Sequence, residues 1–353
     1  MLRAGNDIGG TFTDTVFLDE QSGEMHVGKV LTTPGDPSVG AIEGLLDLLE
    51  QLDAQPQQVR NIVHGTTLVA NTLIERKGAR TALLTTRGFR DILEARTEKR
   101  YELYDLNAEL PEPLVPRDLR IEVAERMDES GQVVLPLDEE SAALAVEQVE
   151  AEAVQAVAIG FLHSYKNPAH EREMRSIIRR RLPGMHVSLS AEVVPQIREY
   201  QRFSTTVANA YVQPLMDRYL SGLHDRLHQM GLAEQLYIML SSGGITTSDV
   251  SREFPIRVVE SGPAAGAIAG ALYGSLLGLE RVVTYDMGGT TAKICFVEAG
   301  HPMTTTEFEV ARVQRFKKGS GLPIKVPVID MLEIGAGGGS IARVDRMGLL
   351  KVV

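Results

Sequence analysis

The pentapeptide Asp7-Ile8-Gly9-Gly10-Thr11 returns as Asp286-Met287-Gly288-Gly289-Thr290. Its surroundings return with it. An apolar run precedes each copy, and a second strand-like run follows, Asp14 to Leu18 in one and Ala292 to Val297 in the other. Polar turns close both, at Gln21-Ser22-Gly23 and at Glu298-Ala299-Gly300. Each copy therefore predicts a strand, a glycine hairpin loop and a returning strand. Two copies in matching settings predict an internal duplication and a two-lobed chain.

Strands and helices alternate between the copies. Asp36 and Pro37 read as N-cap and first residue of a helix to about Leu52. Asn61 to His64 reads as a short strand entering a loop at Gly65, Thr66 and Thr67, with a helix from there to Arg76. Thr81 to Thr85 is a strand, Asp138 caps a helix to about Ala153, and Val154 to Phe161 is an apolar strand. Asn167 and Pro168 open a helix to about Leu182, which leads to a strand from His186 to Leu189. A long helical region covers Tyr200 to Met230, with Pro214 as a break or kink. Leu236 to Leu240 and Ile256 to Val259 complete the strands, and the alternation predicts an α/β fold. Gly266, Gly270 and Gly274 share one helix face within the Gly- and Ala-rich stretch from Pro263 to Leu279. That pattern predicts a buried, closely packed helix rather than a short, weakly apolar membrane span.

Charge narrows the ligands. The 353 residues carry 36 basic and 47 acidic side chains, a net charge of -11, which argues against a nucleic-acid partner. A phosphate ligand would have to be met by local backbone N–H groups and a divalent cation. The single cysteine, Cys295, excludes an internal disulfide and reads as core. It suits a reducing compartment, and with no signal-peptide pattern the expected location is cytoplasmic.

The glycine pairs supply the chemistry. A diglycine loop removes side chains that would block a ligand, and its successive N–H groups can point at phosphate oxygens. Gly9, Gly10, Thr11 and Thr13, with Gly288, Gly289, Thr290 and Thr291, are the candidate nucleotide-binding residues. Asp7 and Asp286 end the preceding strands, where a hydrated Mg2+ would bridge to those oxygens; they are the candidate metal ligands and, with Asp14, the candidate catalytic residues. Asp14 could equally satisfy its own turn, and either hairpin alone could be an ordinary glycine turn. His64, Gly65, Thr66 and Thr67, at a strand end before a helix, are candidates for a substrate or phosphate contact. Gly335, Gly337, Gly338 and Gly339 form a secondary glycine loop that lacks the last glycine of a dinucleotide fingerprint. His163 and His170 read as structural, and Arg198 and Arg202 as solvated or salt-bridged, with anion binding as the alternative reading. Neither a P-loop nor a G-x-S-x-G string occurs.

The paired loops resemble the two phosphate loops of the actin, hexokinase and heat-shock chaperone ATPase superfamily, and Glu260 to Gly266 resembles its first connecting helix. A finer resemblance is to the hydantoinase A and 5-oxoprolinase family, which includes ketone carboxylase subunits. It rests on Asp7 to Asp14, His64 to Thr67 with Asn71, Thr85 to Asp91, Phe161 to Tyr165 with Asn167 and Pro168, Arg202 to Thr206 with Asn209 to Tyr211, Ser261 to Gly266, Asp286 to Thr291 and Ile334 to Ser340. Asn6, Ser242 and Lys293 depart from the family's usual residues. The resemblance implies a ribonuclease-H-like ATPase fold in two lobes. Residues 1–257 would form the first lobe, with a family-level subdivision near 183–190. Residues 258–353 would form the connecting helix and an incomplete start of the second lobe.

It also implies ATP and Mg2+ as cofactors, phosphorylation of a carbonyl oxygen, and opening of a cyclic amide such as hydantoin, N-methylhydantoin or 5-oxoproline, or else ketone carboxylation. A second, hydantoinase B-type subunit or domain would complete the reaction. Other readings are an ATP-binding switch of the chaperone or actin kind, and a docking scaffold for a second subunit. The second lobe reads as truncated, with the adenosine-binding stretch absent, so incomplete nucleotide binding is expected of this chain in isolation.

Overall fold

The structure is a computed structural model that describes residues 1–353 apart from Pro34, Ala233, Glu234, Gly289, Thr290, Arg315, Phe316 and Val353. It opens with strands β1 (Leu2–Ile8), β2 (Phe12–Asp19) and β3 (Met25–Leu31), joined as an antiparallel meander. Helix α1 (Pro37–Gln51) follows; the Asp36 carboxylate accepts from the Ser38 N–H and Pro37 fills the first turn. Strand β4 (Val59–Thr66) lies parallel to β1 and leads into α2 (Leu68–Ile74). The sheet is completed by residues Leu236–Met239 and Ile245–Thr247, giving the order 245–247, 236–239, β4, β1, β2, β3. Gly40 and Gly44 let α1 press onto this sheet: a Cβ at Gly44 would stand 2.5 Å from Thr15 Oγ1. Phe17, Leu45 and Leu48 fill the space beneath, each contributing about 1.5–3 kcal/mol by burial.

A second sheet is inserted after α2. Strands β5 (Thr81–Thr86) and β6 (Arg120–Val123) join residues 186–189 and 156–160 in the order 186–189, 156–160, β5, β6, all parallel. Its strands are buried on both faces, as helix-covered parallel strands are. The long helix Glu199–Gln229 serves both cores. Phe203, Val207 and Ala210 pack into the inserted sheet's core, while Val212, Met216, Leu220 and Leu223 pack under the first sheet. It runs through Pro214 without ending.

Several elements differ from the sequence expectations. Gly65 and Thr66 lie within β4 rather than in a loop, because they pair with Asp7 and Ile8 of β1. Residues 256–259 are not a strand. Pro255 opens a short 3-10 turn over residues 255–258, and the Ile256 N–H donates to Asn209 Oδ1 at 3.2 Å. Arg202 is not solvated but fully buried, and of the two readings the salt-bridged one holds, with Glu199 at 3.8 Å. Val310, Leu322, Ile324, Val326 and Val328, expected in the second lobe, pack into the first sheet's core.

The connecting helix Ser261–Leu276 is buried on one side only. Ala264, Ala267 and Ala271 face inward, while Leu272, Tyr273, Leu276 and Leu277 are exposed. Its glycine face meets the second hairpin: a Cβ at Gly270 would fall 2.1 Å from Thr284 Cγ2, and one at Gly274 2.5 Å from Val282 Cγ2, whereas Gly266 faces open space. Gly270→Ala should therefore cost about 1–3 kcal/mol by overpacking, while Gly266→Ala should be neutral or mildly stabilising. Urea denaturation of the two variants checks this; equal midpoints would refute it.

Candidate functional site

The two hairpins are built alike. Strand Arg281–Met287 pairs with Ala292–Glu298 as β1 pairs with β2. The Gly9 N–H donates to Phe12 O at 3.0 Å, and at the matching place the Gly288 N–H donates to Thr291 O at 3.0 Å. Gly10, Thr11 and Gly288 are exposed and Thr291 is half-buried; Gly289 and Thr290 lie outside the described residues. The secondary glycine loop joins the second hairpin, with the Gly338 N–H donating to Gly288 O at 2.9 Å and Gly337 paired to Ser340. Gly335 and Gly339 stand in the same turn.

Asp7 is the centre of the arrangement. Its Oδ1 is buried and has no hydrogen-bond partner among the described residues. Two glycines wall it in: a Cβ at Gly65 would stand 2.7 Å from that oxygen, and one at Gly262 3.2 Å from it. Burial holds the Asp7 carboxyl above its ordinary pKa, and the charges of Asp14 and Asp286 raise it further. Asp7 therefore senses Asp14 within its own hairpin and Asp286 in the other. Ser261, at the start of the connecting helix, fastens this corner. Its hydroxyl donates to Thr66 O at 2.9 Å and accepts from the Thr66 N–H at 3.1 Å.

Asp14 sits directly opposite Asp7 in the ladder and pairs with Lys29 at 2.7 Å. The second hairpin breaks the symmetry: Lys293, not an acid, sits opposite Asp286. Its ammonium lies 2.8 Å from Glu260, the residue before the connecting helix. Burial works against the Lys293 charge, but Glu260, Glu333 and Asp286 outweigh it and raise its pKa. Sequence reading missed this pair, as well as the roles of Ser261 and Gly262.

Two candidates turn away from the cleft. Thr13 is fully buried and shares a hydrogen bond with Thr32 at 3.0 Å, while Thr32 also donates to Gly9 O at 2.9 Å; both brace the first loop. His64 is fully buried, and desolvation lowers its pKa to about 4, so the ring is neutral. The Tyr219 hydroxyl donates to His64 Nε2 at 2.7 Å, His64 Nδ1 donates to Asn6 Oδ1 at 3.2 Å, and Asn6 Nδ2 donates to Thr15 Oγ1 at 2.8 Å. The direction of this chain follows from Asn6, whose amide nitrogen is committed as a donor. Thr66 is buried too; of the four residues from His64 to Thr67, only Thr67 keeps partial exposure.

Among the described residues no group of three or more His, Cys, Asp or Glu side chains could hold a metal by itself. The orphaned Asp7 oxygen, with Asp286 nearby, instead fits a cation that takes one or two carboxylates and completes its shell with water and phosphate oxygens, as Mg2+ does. His163 and His170 are apart in role: His170 Nδ1 is bonded to Glu125 at 2.8 Å, and buried His163 Nδ1 has no partner. Cys295 is core, beside Ala264, Ala267 and Ile329. No helix among the described residues is long and apolar enough to cross a membrane.

Fold and site together define a mixed α/β protein whose cleft is framed by a duplicated diglycine hairpin. Residues 3–182 match the model of the hydantoinase/oxoprolinase N-terminal region, and residues 202–353 that of hydantoinase/oxoprolinase. The chain belongs to the hydantoinase/oxoprolinase family. An uncharacterized protein of Methanocaldococcus jannaschii is 43% identical over 99% of this chain and 52% of its own length. The caprolactamase alpha subunit of Pseudomonas jessenii is 36% identical over 99% of this chain and 50% of its own, and the crystal structure of that ATP-dependent caprolactamase superposes with a TM-score of 0.85. A nucleotide-free structure of acetone carboxylase, 29% identical, superposes with a TM-score of 0.84 over 99% of this chain and 50% of that one. The chain thus spans about half the length of these relatives.

Proposed function

We propose that this chain is the ATP-handling part of an enzyme that transfers the γ-phosphoryl group to the carbonyl oxygen of a cyclic amide. The observation that carries the reading is the pair of hairpins closed by the same backbone bond, with the unpartnered Asp7 oxygen set between their carboxylates. The ribonuclease-H-like ATPase fold is part of the proposal, supported by the antiparallel β1–β3 meander beside parallel β4 and residues 236–239.

Mg2+, when bound, would neutralise phosphate charge at Asp7 and Asp286. The N–H groups of the two loops orient the phosphate tail, and Gly65 and Gly262 leave it room beside Asp7. Asp14 is the residue proposed to orient or deprotonate the attacking group. In the transfer, the amide oxygen bonds to the γ-phosphorus as the bond to ADP breaks. Water then adds to the activated carbon and the ring C–N bond opens to leave an acyl phosphate. A second water attacks that carbonyl carbon, and phosphate leaves with the former amide oxygen, so both carboxylate oxygens come from water.

Likeness to a caprolactamase at 36% identity favours a lactam or a related cyclic amide such as hydantoin or 5-oxoproline. A ketone oxygen is the second reading, favoured by the likeness to acetone carboxylase. A hydantoinase B-type subunit or domain is proposed to complete either reaction. The test uses this chain together with that partner, Mg-ATP, and caprolactam or 5-oxoproline carrying heavy oxygen in the carbonyl. Heavy oxygen should appear in the released phosphate. ADP release without that transfer overturns the mechanism. Stimulation by a ketone with bicarbonate selects the second reading, and stimulation by peptides alone selects a chaperone-like switch.

A further inference from the structure

A second concave site lies far from the hairpins. A cavity of about 530 Å³ opens between residues 96–101, the start of the long helix at Arg198–Gln201, and the paired strands Phe308–Val310 and Leu322–Ile324 with their flanking residues. Arg198 and Tyr219 are both on or next to that helix, and their separation in sequence puts about 30 Å between this cavity and the polar chain at His64. It is therefore not a corner of the nucleotide cleft.

Its charge opposes that of the molecule. The chain carries -11, yet Arg96, Lys99, Arg100, Arg198, Lys318 and Lys325 line this one cavity, against the carboxylates of Glu307 and Glu309. Both carboxylates are already answered: Glu307 by Lys318 at 2.8 Å, Glu309 by Arg312 at 3.2 Å and by the Gly319 N–H at 2.8 Å. The Arg96 guanidinium is held by Pro111 O. The side chains of Lys99, Arg100, Arg198 and Lys325 have no hydrogen-bond or ion-pair partner among the described residues. The bond from Lys318 lowers the Glu307 pKa, and Lys325 and Lys99 reach Glu307 only through space, where they help to lower it. Four cations facing one cavity repel each other unless an anion sits among them.

The backbone adds donors and strain at the same place. Arg198 stands at the N-cap of the 31-residue helix and makes no side-chain cap, so the free N–H groups of its first turn open where Arg198, Tyr200 and Gln201 line the cavity. Arg96, Glu98 and Arg198 hold φ of 57°, 56° and 85°. Such non-glycine conformations gather at ligand clamps. Tyr101, Tyr200 and Phe308 give the cavity apolar walls.

We propose that this cavity binds a small organic or inorganic polyanion, carrying two or more carboxylate or phosphate groups, gripped by Lys99, Arg100, Arg198 and Lys325 and by the start of the long helix. The size fits a metabolite rather than a folded partner.

Titration calorimetry of the full chain in EDTA, with chloride-matched ionic strength, tests it using pyrophosphate and citrate as separate probes. Without Mg2+ the carboxylates of the hairpin cleft repel both. At least one probe should bind saturably. A Lys99→Ser/Arg100→Ser double variant, altered only at exposed side chains, should weaken that binding at least about tenfold, as should Lys325→Gln. Binding of citrate alone identifies a carboxylate ligand, and of pyrophosphate alone a phosphate ligand. No heat beyond that of chloride, or unchanged affinity in both variants, overturns the proposal.

Discussion

Asp7→Asn should abolish Mg-nucleotide binding and at the same time make the ligand-free protein more stable. The Asp7 carboxyl is buried, its Oδ1 lacks a partner, and its pKa is raised by burial and by Asp14 and Asp286. The folded state therefore holds the proton more tightly than the unfolded chain does. Stability is greatest below the ordinary carboxylate value of 3.8, falls as pH rises through the raised value, and stays reduced above it. At neutral pH the full penalty is present, and an uncharged amide removes it. A gain on the order of 1 kcal/mol corresponds to a rise in Tm of about 1–2 °C in a chain of this size, and the gain should shrink toward pH 4. Calorimetric scans at neutral and acid pH, with Mg-ADP titrations, check both halves. Loss of nucleotide affinity should exceed about a hundredfold. A variant that keeps its affinity would remove Asp7 from the metal site; one that melts lower would show that its carboxylate is not under strain.

Arg202→Met should produce the largest loss of stability of any single change at a polar residue in the inserted core. Arg202 is fully buried. Its guanidinium donates to Phe161 O at 2.9 Å, Gln196 O at 3.0 Å and Ser190 Oγ at 3.2 Å. The same Ser190 hydroxyl donates to the buried Glu171 carboxylate at 2.6 Å, which also accepts the N–H groups of Phe161 and Ala191. Methionine would fill the volume but strand two carbonyls and leave Glu171 without its counter-charge. Stranding such buried partners costs about 3–5 kcal/mol, or roughly 4–7 °C in Tm for a chain of this size. Arg202→Lys should recover little, because an ammonium cannot span three acceptors in a plane. Adding Glu171→Gln to Arg202→Met should restore part of the loss, since the stranded charge goes with it. Thermal and urea unfolding measure all three; a single variant within about 1 kcal/mol of the parent would show that the network carries no weight.

Local rules reached much of this fold. The duplicated hairpins and the Asp36–Pro37 and Asp138 helix starts follow from short-range sequence chemistry and stand as expected, while the glycine face of the connecting helix packs closely at Gly270 and Gly274 but not at Gly266. Side-chain parity held a further signal that went unused. His64 shares a strand face with Ile62, and Thr13 and Thr15 share one with Phe17. That alternation assigns His64 and Thr13 to the interior, whereas motif position alone had put them at the ligand. The pairing of Lys293 with Glu260 and the closeness of Gly262 to Asp7 arise only when the connecting helix crosses between hairpins. Nothing in their own neighbourhoods announces them. The fate of Arg202 was hidden for the same reason: its acceptors at Phe161 and Ser190 are brought by other elements. The sequence also offered no sign that residues 308–328 would return to the first core, since apolar strands look alike whichever sheet claims them.

The helix from Glu199 to Gln229 is rooted in both cores at once. A beam anchored along its length in two bodies allows neither to tilt against the other. The two sheets it joins must then travel as a single block. The chain steps off that block toward the second hairpin at Glu260 and Ser261, and crosses between the two again on either side of the residues that pack back into the first core. The tie from Ser261 to Thr66 and the clasp of Lys293 on Glu260 both sit at the first of these joints, so whatever fills the crevice pulls directly on it.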